Sequence, residues 1–243
     1  MNYFLLYFLD EIKSIIKKID IIIPSLFSSI IPILVFIYGF KKLDLVDYSK
    51  TLLSGFLFTE LLSISLSAVV FLTIELSISG IQYYFSLPFS TKTIIILKFL
   101  SSYIVSFFIG VISFNIANTF LFKIFDIRIL YIFILLILQT ILLSSFSCIL
   151  ISLVKDFTRL GLILSLSNTI LVYFSPVYFP INIFPKFIKN IMIFNPLYFP
   201  ILFLRGLLEN KFYLNFLLII IFLASIYQII SYFILYKKII KNL

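Results

Sequence analysis

Long uncharged runs, separated by short charged clusters, set the hydrophobic pattern of this chain. A helix that crosses a bilayer needs about 20 mostly apolar residues, each rising about 1.5 Å. The pattern predicts one transmembrane domain over residues 21–243 with about six spans, approximately at 21–40, 51–74, 93–122, 129–154, 160–175 and 212–236. We therefore expect an all-α membrane protein.

Residues 1–20 follow a different pattern from the spans. Apolar side chains recur there at helical spacing, and charged or polar side chains occupy the other face. This predicts an amphipathic helix that lies in the membrane interface, as a simple anchor or as a docking surface for a cytosolic partner. A signal peptide is not expected, because charge and apolar groups are mixed and no cleavage site follows.

Prolines interrupt the chain after residue 160. The apolar run 160–185 contains Pro176, Pro180 and Pro185, so we expect its helix to end near Phe174. A further apolar run at 190–204 is too short to cross the membrane and contains two more prolines. It is predicted to be a re-entrant or interfacial element between the fifth and sixth spans.

The composition excludes a soluble fold. Hydrophobic residues make up 63% of the chain and the mean hydropathy is +1.22, whereas a soluble domain is about 45–50% apolar. The net charge of +9 comes from lysines and arginines at the edges of apolar runs, where the anionic membrane surface can attract them. No basic block indicates nucleic-acid binding. The chain has no histidine, and its single cysteine, Cys148, lies within an apolar run.

A phosphate-binding loop for ATP is missing from the sequence. That motif needs two glycines five positions apart, followed by lysine and a hydroxyl residue. The six glycines, at positions 39, 55, 80, 110, 161 and 206, include no such pair. If ATP drives this protein, the ATPase must be a separate polypeptide.

The connection between the second and third spans is unusually long. It reads ELSISGIQYYFSLPFSTKTIIILK over residues 75–98. Pro88 rules out a continuous helix, Ser90 can cap a new one, and Tyr83 suits a membrane interface. The pattern predicts a short surface helix, then a turn, then the third span.

This segment resembles the membrane subunits of type-2 ATP-binding-cassette exporters, the permeases for drug and polysaccharide export. Those proteins have a glutamate near the end of the second span, then a glycine-containing coupling helix, a proline turn with a serine, and basic residues. The matching positions here are Glu75, Gly80, Leu87, Pro88, Phe89, Ser90, Lys92 and Lys98. By this resemblance, Glu75, Gly80, Tyr83, Leu87, Pro88, Ser90 and Lys92 would couple the chain to the ATPase.

A second resemblance lies after the fifth span. The stretch SPVYFPINIFP at 175–185 is similar to the same family, with Pro180 and Pro185 five positions apart. Asn195 and Pro196 are then followed by Arg205, ten positions after the asparagine, as in the family's outer re-entrant element. The resemblance covers nearly the whole chain.

The resemblance implies an architecture and a set of partners. The chain would pair with a second permease copy, identical or different, and with a cytosolic ATPase that binds ATP and magnesium, so that this chain itself carries no cofactor and is not an enzyme. It would export an unidentified substrate across the plasma membrane, in contact with lipid, with both termini in the cytoplasm. Charge alone does not give the orientation, because the 19 cations divide almost evenly between the two sides.

Polar residues within the predicted spans are candidates for the translocation path. Three roles are open for Glu60, because a charge at mid-bilayer is costly. The residue lines the path, it makes a polar contact with Gln139 or Asn168 on another helix, or it is protonated and has no role. Asn168 is the other path candidate. For it and for Asn115, Asn118, Gln139 and Gln228, contacts between helices are the alternative to ligand contacts.

Arg205 stands one helical turn before Glu209, which predicts an ion pair between them. The pair would hold the outer element in place or form part of a gate.

Two further classes of protein stay open for the chain as a whole. An ATP-independent secondary transporter or channel would need several embedded charges, and an intramembrane enzyme would need a catalytic set that the chain does not offer.

Overall fold

The computed structural model describes residues 13, 27, 31–35, 38–39, 46–74, 90–152 and 160–241. The predicted interfacial helix at 1–20, most of the first span and the segment 75–89 lie outside the described residues. Within the described ranges the regular structure is entirely helical. In lipid a backbone must satisfy its own hydrogen bonds, and a helix does so within one segment.

Seven α-helices follow one another in the described part of the chain. They are α1 (Val46–Ile74), α2 (Thr91–Ala117), α3 (Arg128–Ser152), α4 (Leu160–Tyr173), α5 (Lys186–Met192), α6 (Tyr198–Leu208) and α7 (Leu214–Lys241). A π-helical turn at Asn118–Phe122 extends α2, and a 3₁₀ turn at Ile181–Ile183 precedes α5. Among the described residues, three helical segments are long and apolar enough to cross a membrane: Lys92–Phe120, Arg128–Ser152 and Leu214–Lys237. The structure is that of an all-α membrane protein, while the count of six spans stays a prediction.

The third predicted span, 93–122, ends as a π-helix because of one asparagine. The Asn118 side chain donates to the carbonyl of Ile124 at 3.0 Å and accepts from its amide at 2.9 Å. Lys123 turns into the left-handed region with φ 53° and donates its amide to the carbonyl of Asn118. Asn118 therefore closes its own helix end, and it is not the contact between helices that the sequence suggested.

Helix α3 occupies the centre of the bundle. It packs against α1, α2 and α7, and α6 packs against α1, α3 and α7. The main core is one apolar cluster that includes Leu53, Leu61, Phe114, Leu135 and Leu204. Helix α7 presents large apolar side chains outward, including Phe222 and Phe233, as expected where lipid is the solvent.

Helix α4 ends at Tyr173, one residue before the expected position. Its 14 described residues extend about 21 Å. The chain from residue 174 to residue 213, here called the re-entrant element, then forms turns and two short helices before α7 begins.

Candidate functional site

The coupling end of the bundle is the end where α2 begins and α7 finishes, marked by Ser90, Lys92 and Tyr236. Five predicted coupling residues, Glu75, Gly80, Tyr83, Leu87 and Pro88, lie outside the described residues. Ser90 is the N-cap of α2, as expected, and its Oγ accepts from the amide of Thr93 at 3.3 Å. The Lys92 ammonium lies 5.7 Å from the centre of the Tyr236 ring, within the range of a cation–π contact.

A small apolar cluster lies close to this end. It joins Ile95 and Phe99 of α2 to Cys148 and Ile151 of α3 and to Leu235 of α7. All five side chains are almost completely buried, and packed interiors transmit displacement because they have little compressibility. A force applied to the start of α2 therefore reaches α3 and α7 directly. The buried Cys148 contributes here as a packing group.

A polar cluster links α2, α3 and α7 near the middle of these helices. Ser145 donates to Gln228 Oε1 at 2.7 Å, and the Tyr103 hydroxyl also donates to that oxygen. The Tyr103 and Ser145 oxygens lie 3.3 Å apart. The expected role of Gln228 as a contact between helices is thus confirmed. The sequence analysis overlooked Tyr103, although a tyrosine in mid-span needs a partner for its hydroxyl.

The two predicted path residues lie on neighbouring helices, Glu60 on α1 and Asn168 on α4. Asn168 donates to Ser63 Oγ at 3.4 Å, one turn along α1 from Glu60, while Asn168 Oδ1 is buried with no hydrogen-bond partner. Neither amide atom of the fully buried Gln139 has a partner, so the structure does not join Gln139 to Glu60. Asn115 faces outward on α2.

Asn195 fixes the inner turn of the re-entrant element. Its Nδ2 donates to the carbonyls of Leu171 at 2.6 Å, in the last turn of α4, and of Phe174 at 2.7 Å, the residue that follows α4. Its Oδ1 accepts from the amide of Leu197 at 2.9 Å, just before α6 begins. The buried Pro196 lies in the same turn. One side chain therefore caps the last carbonyls of α4 and starts the return of the chain.

Arg205 connects the re-entrant element to α1. It donates to Ser54 Oγ at 3.1 Å and to the carbonyl of Thr51 at 2.9 Å. It also donates to the carbonyl of Val177 at 3.1 Å and to that of Pro176. Guanidinium is permanently charged and offers five donors, so these acceptors surround it with complementary dipoles.

The predicted ion pair between Arg205 and Glu209 is wrong. Glu209 pairs instead with Lys211, with 2.8 Å between the charged atoms. Helix α6 ends at Leu208, so Glu209 lies in the following turn beside Lys211. The i, i+4 spacing of Arg205 and Glu209 does not make them a pair, because the helix ends before Glu209. Closer acceptors also surround Arg205.

Pro180 and Pro185 immediately precede the 3₁₀ turn and α5. Proline suits the start of a helix, where its missing amide proton would have no helical partner. The two prolines therefore divide residues 179–194 of the re-entrant element into short helical segments.

A second arginine, Arg128, was not recognised from the sequence. It begins α3, pairs with Asp126 at 2.7 Å, and donates to the carbonyl of Leu207 at 3.2 Å and to the side chain of Asn210. The pKa of Asp126 lies below its ordinary value, chiefly because Arg128 donates a hydrogen bond to its carboxylate. Arg128 thereby holds the C-terminal end of α6 to the start of α3.

The contacts with α1 show that the turn at Asn195 lies deeper in the bundle than Arg205. Asn168 is level with Ser63, Val177 lies against Gly55, and Arg205 is level with Thr51 and Ser54. The carbonyls of Leu171 and Phe174, to which Asn195 donates, lie between the levels of Ser63 and Gly55 on α1. At a rise of about 1.5 Å per residue, Asn195 is roughly 10 Å deeper than Arg205. The element thus dips into the bundle and returns.

A bundle of long apolar helices packed around one apolar core defines a helical membrane protein. The family profile described as ABC-2 type transporter matches residues 3–209. This chain belongs to that family and is the membrane permease subunit of an ABC transporter. No curated protein matches the chain.

Proposed function

We propose that this permease subunit serves an ATP-driven exporter. Two copies, or this chain and a related one, form the membrane unit, and a separate cytosolic ABC ATPase docks on residues 75–92. The coupling end then faces the cytosol, both termini are cytoplasmic, and the protein lies in the plasma membrane. The exported substrate stays unidentified.

The packing of the coupling end is the observation that carries this proposal. Helix α2 begins at Thr91, is capped by Ser90, and contacts α3 and α7 through buried side chains. A displacement of the preceding segment therefore moves three helices together. ATP can shift the equilibrium between two bundle arrangements only by its different affinity for the two states.

Nucleotide chemistry is assigned to the partner. The chain has no glycine pair at the spacing of a phosphate-binding loop, so ATP and Mg²⁺ are held by the ATPase and this chain carries no cofactor. The proposed coupling residues are Glu75, Gly80, Tyr83, Leu87, Pro88, Ser90 and Lys92.

The proposed translocation path follows the adjoining faces of α1 and α4. Glu60 is partly exposed in the middle of α1, and Asn168 keeps an unpaired buried oxygen beside the same face. Burying a polar group in an apolar medium without a hydrogen bond is costly. A passing substrate that carries hydrogen-bond donors would satisfy that oxygen.

Cysteine labelling tests the orientation. Cys148 is buried and is the single cysteine of the chain, so a Cys148→Ala background permits one cysteine at a time. Tyr83→Cys should react with a membrane-impermeant maleimide only from the cytosolic side. The control, Lys211→Cys, replaces an exposed residue at the opposite end and should react only from outside. The reverse pattern refutes the proposal.

Co-purification tests the coupling. Pro88→Ala or Gly80→Ala should weaken the binding of a co-expressed ABC ATPase and reduce its stimulation by the permease. Lys211→Ala, far from the coupling end, should leave both unchanged. Unaltered binding and turnover in both coupling variants would refute the assignment, and transport by the purified chain alone would favour an ATP-independent carrier or channel.

A further inference from the structure

The outer limb of the re-entrant element, residues 179–194, carries an exposed apolar surface that no described helix covers. Ile183, Phe187 and Phe194 are 68%, 74% and 83% exposed. These fractions exceed the 64% of Phe222, an outward-facing residue of the long helix α7. An aromatic ring this exposed in water would be unfavourable, because apolar surface gains free energy when it leaves water.

Contacts fix the depth of both ends of this limb. The Phe179 carbonyl accepts from Arg205 at 3.4 Å, which places that end level with the start of α1. Phe194 immediately precedes Asn195, the residue bound to the end of α4. The limb therefore descends from the outer end of the bundle towards its interior. Phe194 lies at its deep end and turns away from the core.

Two lysines alternate with these apolar residues. Lys186 is exposed and precedes Phe187, and Lys189 lies one turn further along α5, where its Nζ donates to the carbonyl of Asn182 at 3.4 Å. Long cationic side chains keep their stems on apolar surface and extend the charge to the lipid headgroups. No acidic residue occurs between positions 179 and 194, so the limb as a whole is cationic.

We propose that residues 179–194 bind anionic phospholipid of the outer leaflet. Acyl chains cover Ile183, Phe187 and Phe194, while a headgroup phosphate lies between Lys186 and Lys189. The limb is joined to α4 through Asn195 and to α1 through Arg205, so this lipid is in contact with a segment that is anchored to two helices. The assignment to the outer leaflet rests on the proposed orientation, in which the coupling end faces the cytosol, whereas the contact with anionic lipid does not.

Tryptophan fluorescence gives a direct test, because the chain contains no tryptophan. Phe187→Trp and Phe194→Trp are reconstituted separately as full chains in vesicles with brominated acyl chains. We expect both to be quenched, and Phe194→Trp to be quenched more by bromines deep in the chain than by shallow ones. Phe222→Trp is the lipid-facing control, and Phe203→Trp, at a fully buried position, is the shielded control.

Headgroup preference is tested in Phe187→Trp with trace brominated phosphatidylglycerol in a phosphatidylcholine background. A lysine near an anionic surface contributes about 1 kcal/mol, so we expect local enrichment of about fivefold per lysine over brominated phosphatidylcholine. Lys186→Gln with Lys189→Gln should remove the enrichment. Lys123→Gln, an exposed cation outside the limb, should preserve it.

Each remaining outcome overturns the proposal. Quenching of both tryptophans by aqueous iodide and not by bromolipid would place the limb in water. Protection from both quenchers, at levels like those of the buried control, would mean that protein covers it, as in contact with a second copy. Equal quenching by the two brominated lipids would show that the site does not prefer an anionic headgroup.

Discussion

Gly55 lies where the re-entrant element approaches α1 most closely. A Cβ atom at this position would lie 2.6 Å from both Cα and the carbonyl oxygen of Val177. Ordinary contacts between carbon atoms are about 3.5–4.0 Å, so Gly55→Ala requires a backbone shift of about 1 Å. Val177 is held in place because Arg205 donates to its carbonyl and Tyr48 donates to that of Tyr178.

Two opposing effects set the magnitude. Alanine favours a helix interior over glycine by about 0.8–1.0 kcal/mol, whereas overpacking costs about 1–3 kcal/mol. Gly161, the second residue of α4 as described, provides the control without a clash, because a Cβ there meets nothing within 4 Å. Gly161→Ala should therefore show at most the helix gain, and the difference between the two variants should approach the clash, about 1–3 kcal/mol.

The free energy of unfolding is measured by titrating detergent micelles with dodecyl sulfate and following helical circular dichroism. Gly110→Ala is an informative intermediate, since its Cβ would meet only the side chain of Leu61, which can move. We expect the stability order Gly161→Ala, then Gly110→Ala, then Gly55→Ala. If Gly55→Ala is as stable as Gly161→Ala, Val177 does not rest against α1 and the depth assigned to the re-entrant element is wrong.

Four further substitutions test three sets of contacts by the same titration. Arg205→Lys should cost about 2–3 kcal/mol, because an ammonium cannot reach the separate acceptors of the guanidinium; an unchanged midpoint would contradict this. Ser90→Ala should cost about 1 kcal/mol and speed hydrogen exchange at the first amides of α2; unaltered exchange would exclude the cap. Tyr103→Phe should cost about 0.5 kcal/mol, whereas Gln228→Leu should cost more because it removes the shared acceptor of two hydroxyls; equal losses would argue against the shared acceptor.

Features that depend on neighbouring residues were predicted well. The Ser90 cap and the end of α4 before Pro176 both follow from backbone chemistry that any solvent would impose. The contact role of Gln228 was anticipated, but its partners Tyr103 and Ser145 were not, because they lie on other helices. The proposed coupling residues from Glu75 to Pro88 stay predictions.

The sequence by itself determined that this chain is a helical membrane protein, because run length, charge spacing and proline positions are local properties that lipid selects directly. Its motifs resemble those of the ABC-2 family, and the family profile shows that the chain belongs to it. Only the tertiary structure decided where Arg205 binds, that Arg128 holds the end of α6, and that Asn195 caps α4. These contacts join residues 21 to 154 positions apart. Their choice depends on which carbonyls the packed helices leave unpaired at one end of the bundle, and no local pattern encodes that.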